Sequence, residues 1–469
     1  MTRRSRLPLA PEAPSLVLSR RSASMRLIAL AFLVLASGLA SGAAAQDPSY
    51  RYETGTYAIT NARIQTVTNG VIERGTVVIR DGEIEAVGSG VQAPADATVL
   101  DASGLTVYPG MIDGGTSIGL TEINSVEVTV DNNEIGDIVP QVKALTAVNP
   151  SSTHIPVTRV GGVTHAVVKP SGGAMPGTAA LVHLVGYSPA QMDAGFEAVV
   201  VNFPRSGRRG RFDRRTDEAI KKANEKAVET IDEFWAEAVR YAAIDSARTA
   251  SGAREPLPYA PEAAALLPVL RGVTPLMVEA NSAADITAAL KWIEEKGVRA
   301  VLTGAAEGWR VADEIAASGV PVITGPSTGL PTRASDRYSR AYENAGLMHA
   351  AGVTVALRSD ESENVRNLPF QAGFAAAYGM QHGYTAQDAL ESVTIIPARI
   401  MGLDSQIGSI EVGKRASLFV ATGDPFEPAT QITHLFIEGV RVPIDSRHIR
   451  LYDEYLDREP ALSLPGEPR

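Results

Sequence analysis

The feature that most constrains this chain is an alternation of apolar, strand-like runs with helical text, repeated about eight times through its middle. The runs stand at Thr106–Ile112, Val163–Val168, Ala180–Val185, Ala198–Val201, Pro275–Val278, Val298–Leu302, Val320–Thr324 and Val353–Leu357. Helical patterns such as ADITAALKWIEEKG and WRVADEIAASG lie between several of them. Short continuous apolar runs separated by amphipathic segments predict strands buried on both faces, hence a parallel α/β fold. A closed (β/α)8 barrel takes about 250 residues, so the stretch 108–404 has room for a TIM-like barrel with one insertion. That insertion reads as the charged helical stretch Thr216–Ala250 behind the Arg-rich segment Arg205–Arg215, and is expected at about 205–255. The arginine segment is read as a solvated loop, because it lacks the interleaved series of aromatic residues that would stack on bases.

Both ends read differently. Residues 46–107 and 405–450 are short alternating strands broken by turn signals such as Asn69-Gly70, Asp81-Gly82 and Ser103-Gly104. The expectation is a small composite β-sandwich built from both chain ends. Residues 1–45 stand apart from the fold. Arg20, Arg21 and Arg26 precede the apolar run Leu27–Leu39, and the small residues Ser41–Ala45 follow. A positive start, a dozen apolar residues and an A-x-A end make a secretory signal, with Met1 and Met25 both open as its start. The run is too short for the roughly 20 residues of a membrane span. An exported protein without a stable membrane anchor is expected, in the periplasm.

Composition removes several function classes. The 469 residues contain no cysteine, which excludes a disulfide scaffold, thiolate-held zinc and a cysteine nucleophile. With 43 Lys+Arg against 53 Asp+Glu the net charge is −10, which argues against nucleic acid as a partner.

Tyr108-Pro109-Gly110-Met111-Ile112-Asp113 resembles the first barrel strand of the amidohydrolase superfamily. Gly352–Asp360 is similar to that superfamily's eighth strand with its terminal Asp. Thr394–Leu403 resembles the helix that follows, and Ile407–Leu418 the return strand of the flanking β domain. The likeness covers almost the whole chain after residue 45 and is closest to the imidazolonepropionase-like branch. It implies a barrel mouth with one or two divalent metals, held by histidines on strands one, five and six and by the Asp of strand eight. Some members add a carboxylated lysine on strand four. Such a metal lowers the pKa of bound water toward about 7, making hydroxide for amide C–N hydrolysis.

Carried over residue by residue, the ligand set is degenerate. The His-x-His positions fall on Gly115 and Ser117, the next histidine position on Glu279 or Asn281, and the third on Gly304. No lysine lies on the fourth strand, Val199–Asn202; Asp360 remains. Asp360 is therefore the candidate catalytic carboxylate, and Glu279, Asn281 and Arg358 are candidate substrate-binding residues. The seven histidines, His154, His165, His183, His349, His382, His434 and His448, show no ligand spacing. No cofactor is expected; zinc or another divalent metal enters if the family mechanism survives. Gly325-Pro326-Ser327-Thr328-Gly329 matches a nucleophile-elbow pattern, but Pro331 spoils the helix that must follow the serine.

Two readings stay open. One is a metal-free pseudo-enzyme that binds a small amide-like molecule, or pairs with an intact relative. The other is an active hydrolase of cyclic or linear amides using a rearranged or hard-cation site. A homo-oligomer or a hetero-oligomer is expected from the resemblance.

Overall fold

The computed structural model describes residues 50–208, 213–252 and 256–456. The expected signal segment, 1–45, lies outside them, as do residues 209–212 of the arginine segment. Sixteen strands are present among the described residues: β1 Tyr57–Gln65, β2 Val71–Arg80, β3 Glu83–Gly88, β4 Thr98–Asp101, β5 Thr106–Pro109, β6 Met111–Thr116, β7 Val163–Val168, β8 Gly177–His183, β9 Asp193–Asn202, β10 Leu276–Ala280, β11 Ala300–Gly304, β12 Val322–Thr324, β13 Val355–Leu357, β14 Leu418–Ala421, β15 Ile432–Ile437 and β16 Val440–Val442.

They form two eight-stranded sheets. One runs β16-β15-β14-β5-β1-β2-β3, with β4 also on β1, and so joins strands from both ends of the chain in a single hydrogen-bonded path. The join is β14 against β5, with Leu418 beside Pro109 and Phe419 beside Tyr108; those two rings stack at 5.4 Å. The other sheet runs in sequence order from β6 to β13 and rolls into a nearly closed barrel. Inward side chains such as Ile112, Val167, Leu181, Val200, Met277 and Ile323 fill it as one buried cluster, a packed interior rather than a pore.

Two expectations need correction. The barrel is not uniformly parallel: β8 runs antiparallel to both β7 and β9. The reason lies in the linkers. A parallel crossover needs a dozen or more residues, whereas only Lys169–Pro176 connects β7 to β8 and 184–192 connects β8 to β9, so the chain turns straight back each time. The apolar run Thr106–Ile112 is also not one strand. It divides at Gly110, whose N–H donates to the Ser417 carbonyl at 2.9 Å, so that β5 belongs to the first sheet and β6 to the barrel. Glycine is required there, because a Cβ would lie 2.1 Å from Thr164 Oγ1. Gly110→Ala is therefore expected to cost about 1–3 kcal/mol through overpacking, read by urea denaturation; a loss under about 0.5 kcal/mol would contradict the packing described.

The insertion carries a helix over Asp217–Ser251, started by the Thr216 side chain accepting from Ala219 N–H and ended by Gly252 at φ +67°. It seats Ile231, Trp235 and Ala238 in the core, with Trp235 edge-on to Trp292 at 5.7 Å. Among the described residues no helix is long and apolar enough to cross a membrane.

Candidate functional site

The parallel strands deliver their C-terminal ends to one face, where barrel sites sit. Asp113, on β6, closes the barrel there. Its Oδ1 accepts the N–H of Gly115 at 3.0 Å and of Ser359 at 3.1 Å, while the Gly115 carbonyl accepts Asp360 N–H at 3.0 Å. These bonds clasp the first barrel strand to the last. Asp113 is fully buried, and burial pushes its carboxyl up to about 6 against the pull of these donors.

Above the clasp lies a compact ionic cluster. The Arg358 guanidinium is 2% exposed and forks over Glu279, Nη1 to Oε2 at 2.6 Å and Nη2 to Oε1 at 2.8 Å. Arg358 Nη2 also reaches Asp360 Oδ1 at 3.1 Å. Lys169, directly after β7, places Nζ 3.3 Å from Glu279 Oε2 and 3.6 Å from Asp360 Oδ1. Thr303 Oγ1 and Asn281 Nδ2 donate to the two Glu279 oxygens at 2.9 and 3.1 Å. Burial opposes ionisation of Glu279, but the Arg358 and Lys169 charges hold its carboxyl well below the usual range.

The glycines at expected ligand positions serve this cluster. A Cβ on Gly115 would sit 3.2 Å from Arg358 Cδ, so the arginine stem fills the space a side chain there would take. Gly304, at φ +82°, would place a Cβ 2.5 Å from Asn281 Oδ1 and 2.6 Å from Glu279 Oε1. Ser117 lies in the turn after β6, where its carbonyl accepts Leu120 N–H, and its side chain has no bond to the cluster.

Glu279, Asn281, Arg358 and Asp360 thus share one mouth, and they line a cavity of about 190 Å³ together with Trp309 and Ser327. The Trp309 ring has the guanidinium carbons of Arg310 and Arg340 at 4.1 and 4.6 Å. Ser327 is buried, its N–H donating to Gln371 Oε1; among the described residues no histidine bonds its hydroxyl, so the elbow-like motif lacks a general base. Lys169 escaped the sequence reading, which looked for a lysine on a fourth strand. The available signal was a charge at the end of an apolar strand, Val167-Val168-Lys169.

A second polar cluster sits away from the mouth. His165 on β7 pairs directly with His183 on antiparallel β8, their rings 6.3 Å apart. His165 Nδ1 meets Thr164 Oγ1 at 2.9 Å and its Nε2 lies 3.3 Å from Glu438 Oε1. Glu438, at φ +52° on the β15–β16 hairpin, also binds Arg415 at 2.8 Å. Burial, then the neighbouring His165, drives His183 down to about 4. Burial works against Glu438, yet the bond from His165 and the surrounding positive groups bring it to about 2. Among the described residues no three His, Asp or Glu side chains are grouped so as to hold a metal ion.

Comparison with known proteins agrees with this fold. The amidohydrolase family model matches residues 204–442. A curated relative, the amidohydrolase tasK of Hapsidospora irregularis, is 23% identical over 416 residues, 79% of this chain but 39% of its own length; the chain thus spans about two fifths of that relative. An N-substituted formamide deformylase of Arthrobacter pascens is 44% identical over 62 residues, 12% of this chain and 11% of its own. The solved structure of an amidohydrolase from Thermotoga maritima superposes with a TM-score of 0.72 at 24% identity, covering 82% of this chain and 99% of that one. With a family match over half its length and a barrel of the same fold, the chain belongs to the amidohydrolase family.

Proposed function

We propose that this chain keeps the family's barrel, nearest in kind to the imidazolonepropionase-like branch, as a binding body for a small amide-like molecule and does not run metal-assisted hydrolysis. The observation that carries this is the Arg358 fork over both oxygens of Glu279. A divalent ion needs several free oxygen or nitrogen donors. Here Gly115 and Gly304 offer no side chain, Asn281 already donates to Glu279, and both Glu279 and Asp360 face cations. The residues present do not fit the family's metal. What remains open to a ligand is the mouth cavity, with Asp360 and Trp309 among its lining residues.

The test is elemental analysis of the dialysed protein beside an amide-hydrolysis assay with and without added zinc or manganese. Well under one metal ion per chain and no metal-dependent turnover are expected; about one zinc per chain with turnover would overturn the reading. The competing reading, an active hydrolase, draws on Asp360, which is 37% exposed and could take a proton from water. Turnover by the wild type that is lost in Asp360→Asn would favour it. In either reading we place the protein in the exported compartment and expect it to associate, with itself or with an intact relative.

A further inference from the structure

We infer that Arg358 and Lys169 are resident cations that hold the barrel mouth together in the place of a metal, and that removing both uncovers a site for a divalent cation. This deepens the reading above and rests on its metal-free mouth. The two positive groups come from different strand ends, after β7 and after β13, and each touches the same two carboxylates. Arg358 contacts Glu279 at 2.6 Å and Asp360 at 3.1 Å; Lys169 contacts them at 3.3 and 3.6 Å. Two positive centres bridged by two shared carboxylates are a charge-neutral cross-brace tying β7, β10 and β13. The wild-type mouth has no capacity for a further cation, because the Arg358 stem fills the space beside Gly115 and both Glu279 oxygens are engaged. Without the two cations, Glu279 and Asp360 would face each other above the buried Asp113, and like charges in a low-dielectric site demand a counter-charge. Carboxylate and amide oxygens suit a hard ion such as Mn²⁺.

The experiment is thermal unfolding of wild type and of Arg358→Met/Lys169→Met in EDTA and in about 1 mM Mn²⁺, with calorimetric titration of Mn²⁺ into each. The wild-type midpoint should move by less than about 1 °C. The double variant should melt about 5 °C lower in EDTA, the consequence of unpaired buried charge in a chain of this size, and Mn²⁺ should restore at least half of that loss. Calorimetry should show Mn²⁺ bound at least about tenfold more tightly than by wild type. An unchanged midpoint in the double variant, or one that Mn²⁺ does not raise, overturns the proposal. Should the double variant fold only when expressed with Mn²⁺, the proposal holds; insolubility with and without the ion overturns it, since a metal in the cations' place should restore the fold. Amide turnover is not a readout. Turnover by wild type would sink the non-catalytic reading alone, and a variant deaf to Mn²⁺ would sink this one alone.

Discussion

Glu279→Ala is expected to lower the unfolding free energy by about 3–5 kcal/mol, the usual cost of leaving one half of a buried ion pair alone. Arg358 would keep its charge at 2% exposure with Asp360 as its nearest remaining carboxylate. The loss comes from the stranded guanidinium more than from the missing attraction, and that distinction has its own signature. Adding Arg358→Met to Glu279→Ala should return most of the stability, because removing both partners of a buried pair is close to neutral. Urea denaturation of the two single variants and the double variant measures this. A Glu279→Ala protein within about 1 kcal/mol of wild type would mean that the mouth is wetter and looser than the hydrogen bonds imply.

The second large effect is with pH, and His183 and Asp113 contribute to it with opposite sign. His183 has a folded pKa of about 4, below the ordinary 6.5, so the unfolded chain binds its proton first. Its contribution is present above about 6.5 and is lost as pH falls toward 4, about 2 kcal/mol of it by pH 5. Asp113 is the reverse. Its carboxyl is raised to about 6, so the folded state holds a proton that the unfolded state has released. That contribution is present below the ordinary carboxylate value and is lost as pH rises through about 6, so acidification from pH 7 to 5 gains about 1 kcal/mol. Over this interval the two contributions largely offset each other in wild type. His183→Gln removes the first effect and leaves the second, so between pH 7 and 5 its stability should gain about 2 kcal/mol relative to wild type. A His183→Gln protein whose pH dependence matches that of wild type would contradict the burial of His183.

The sequence made the barrel strands readable because strands covered on both faces are apolar throughout, as Val199–Val201 and Val355–Leu357 are. It made most of the mouth readable as well, since Glu279, Asn281, Arg358 and Asp360 each end or closely follow such a run. The direction of β8 was less visible, because orientation is set by linker length rather than by the strand's own residues. Lys169 was passed over for a different reason: a lysine was sought on the fourth strand, whereas this one directly follows the second barrel strand, β7. The His165–His183 contact depends on antiparallel register, which brings residues far apart in sequence side by side. Two histidines without ligand spacing gave no hint of it. The pairing of Arg358 with Glu279 needs the full curvature of the barrel, which no local pattern contains.

The seam between β5 and β14 has a consequence for how the molecule comes into being. Leu418 must find Pro109, and Phe419 must find Tyr108, across the entire intervening barrel, so the loop that closes this contact is among the longest the chain can make. Contacts of that separation form late and slow the whole reaction. Until β14 arrives, β5 presents an unpaired edge carrying Val107 and Tyr108, the kind of edge that recruits strands from other molecules. A ribosome-bound or truncated chain ending before residue 418 therefore carries an open template, and its survival depends on how quickly the last strands are supplied.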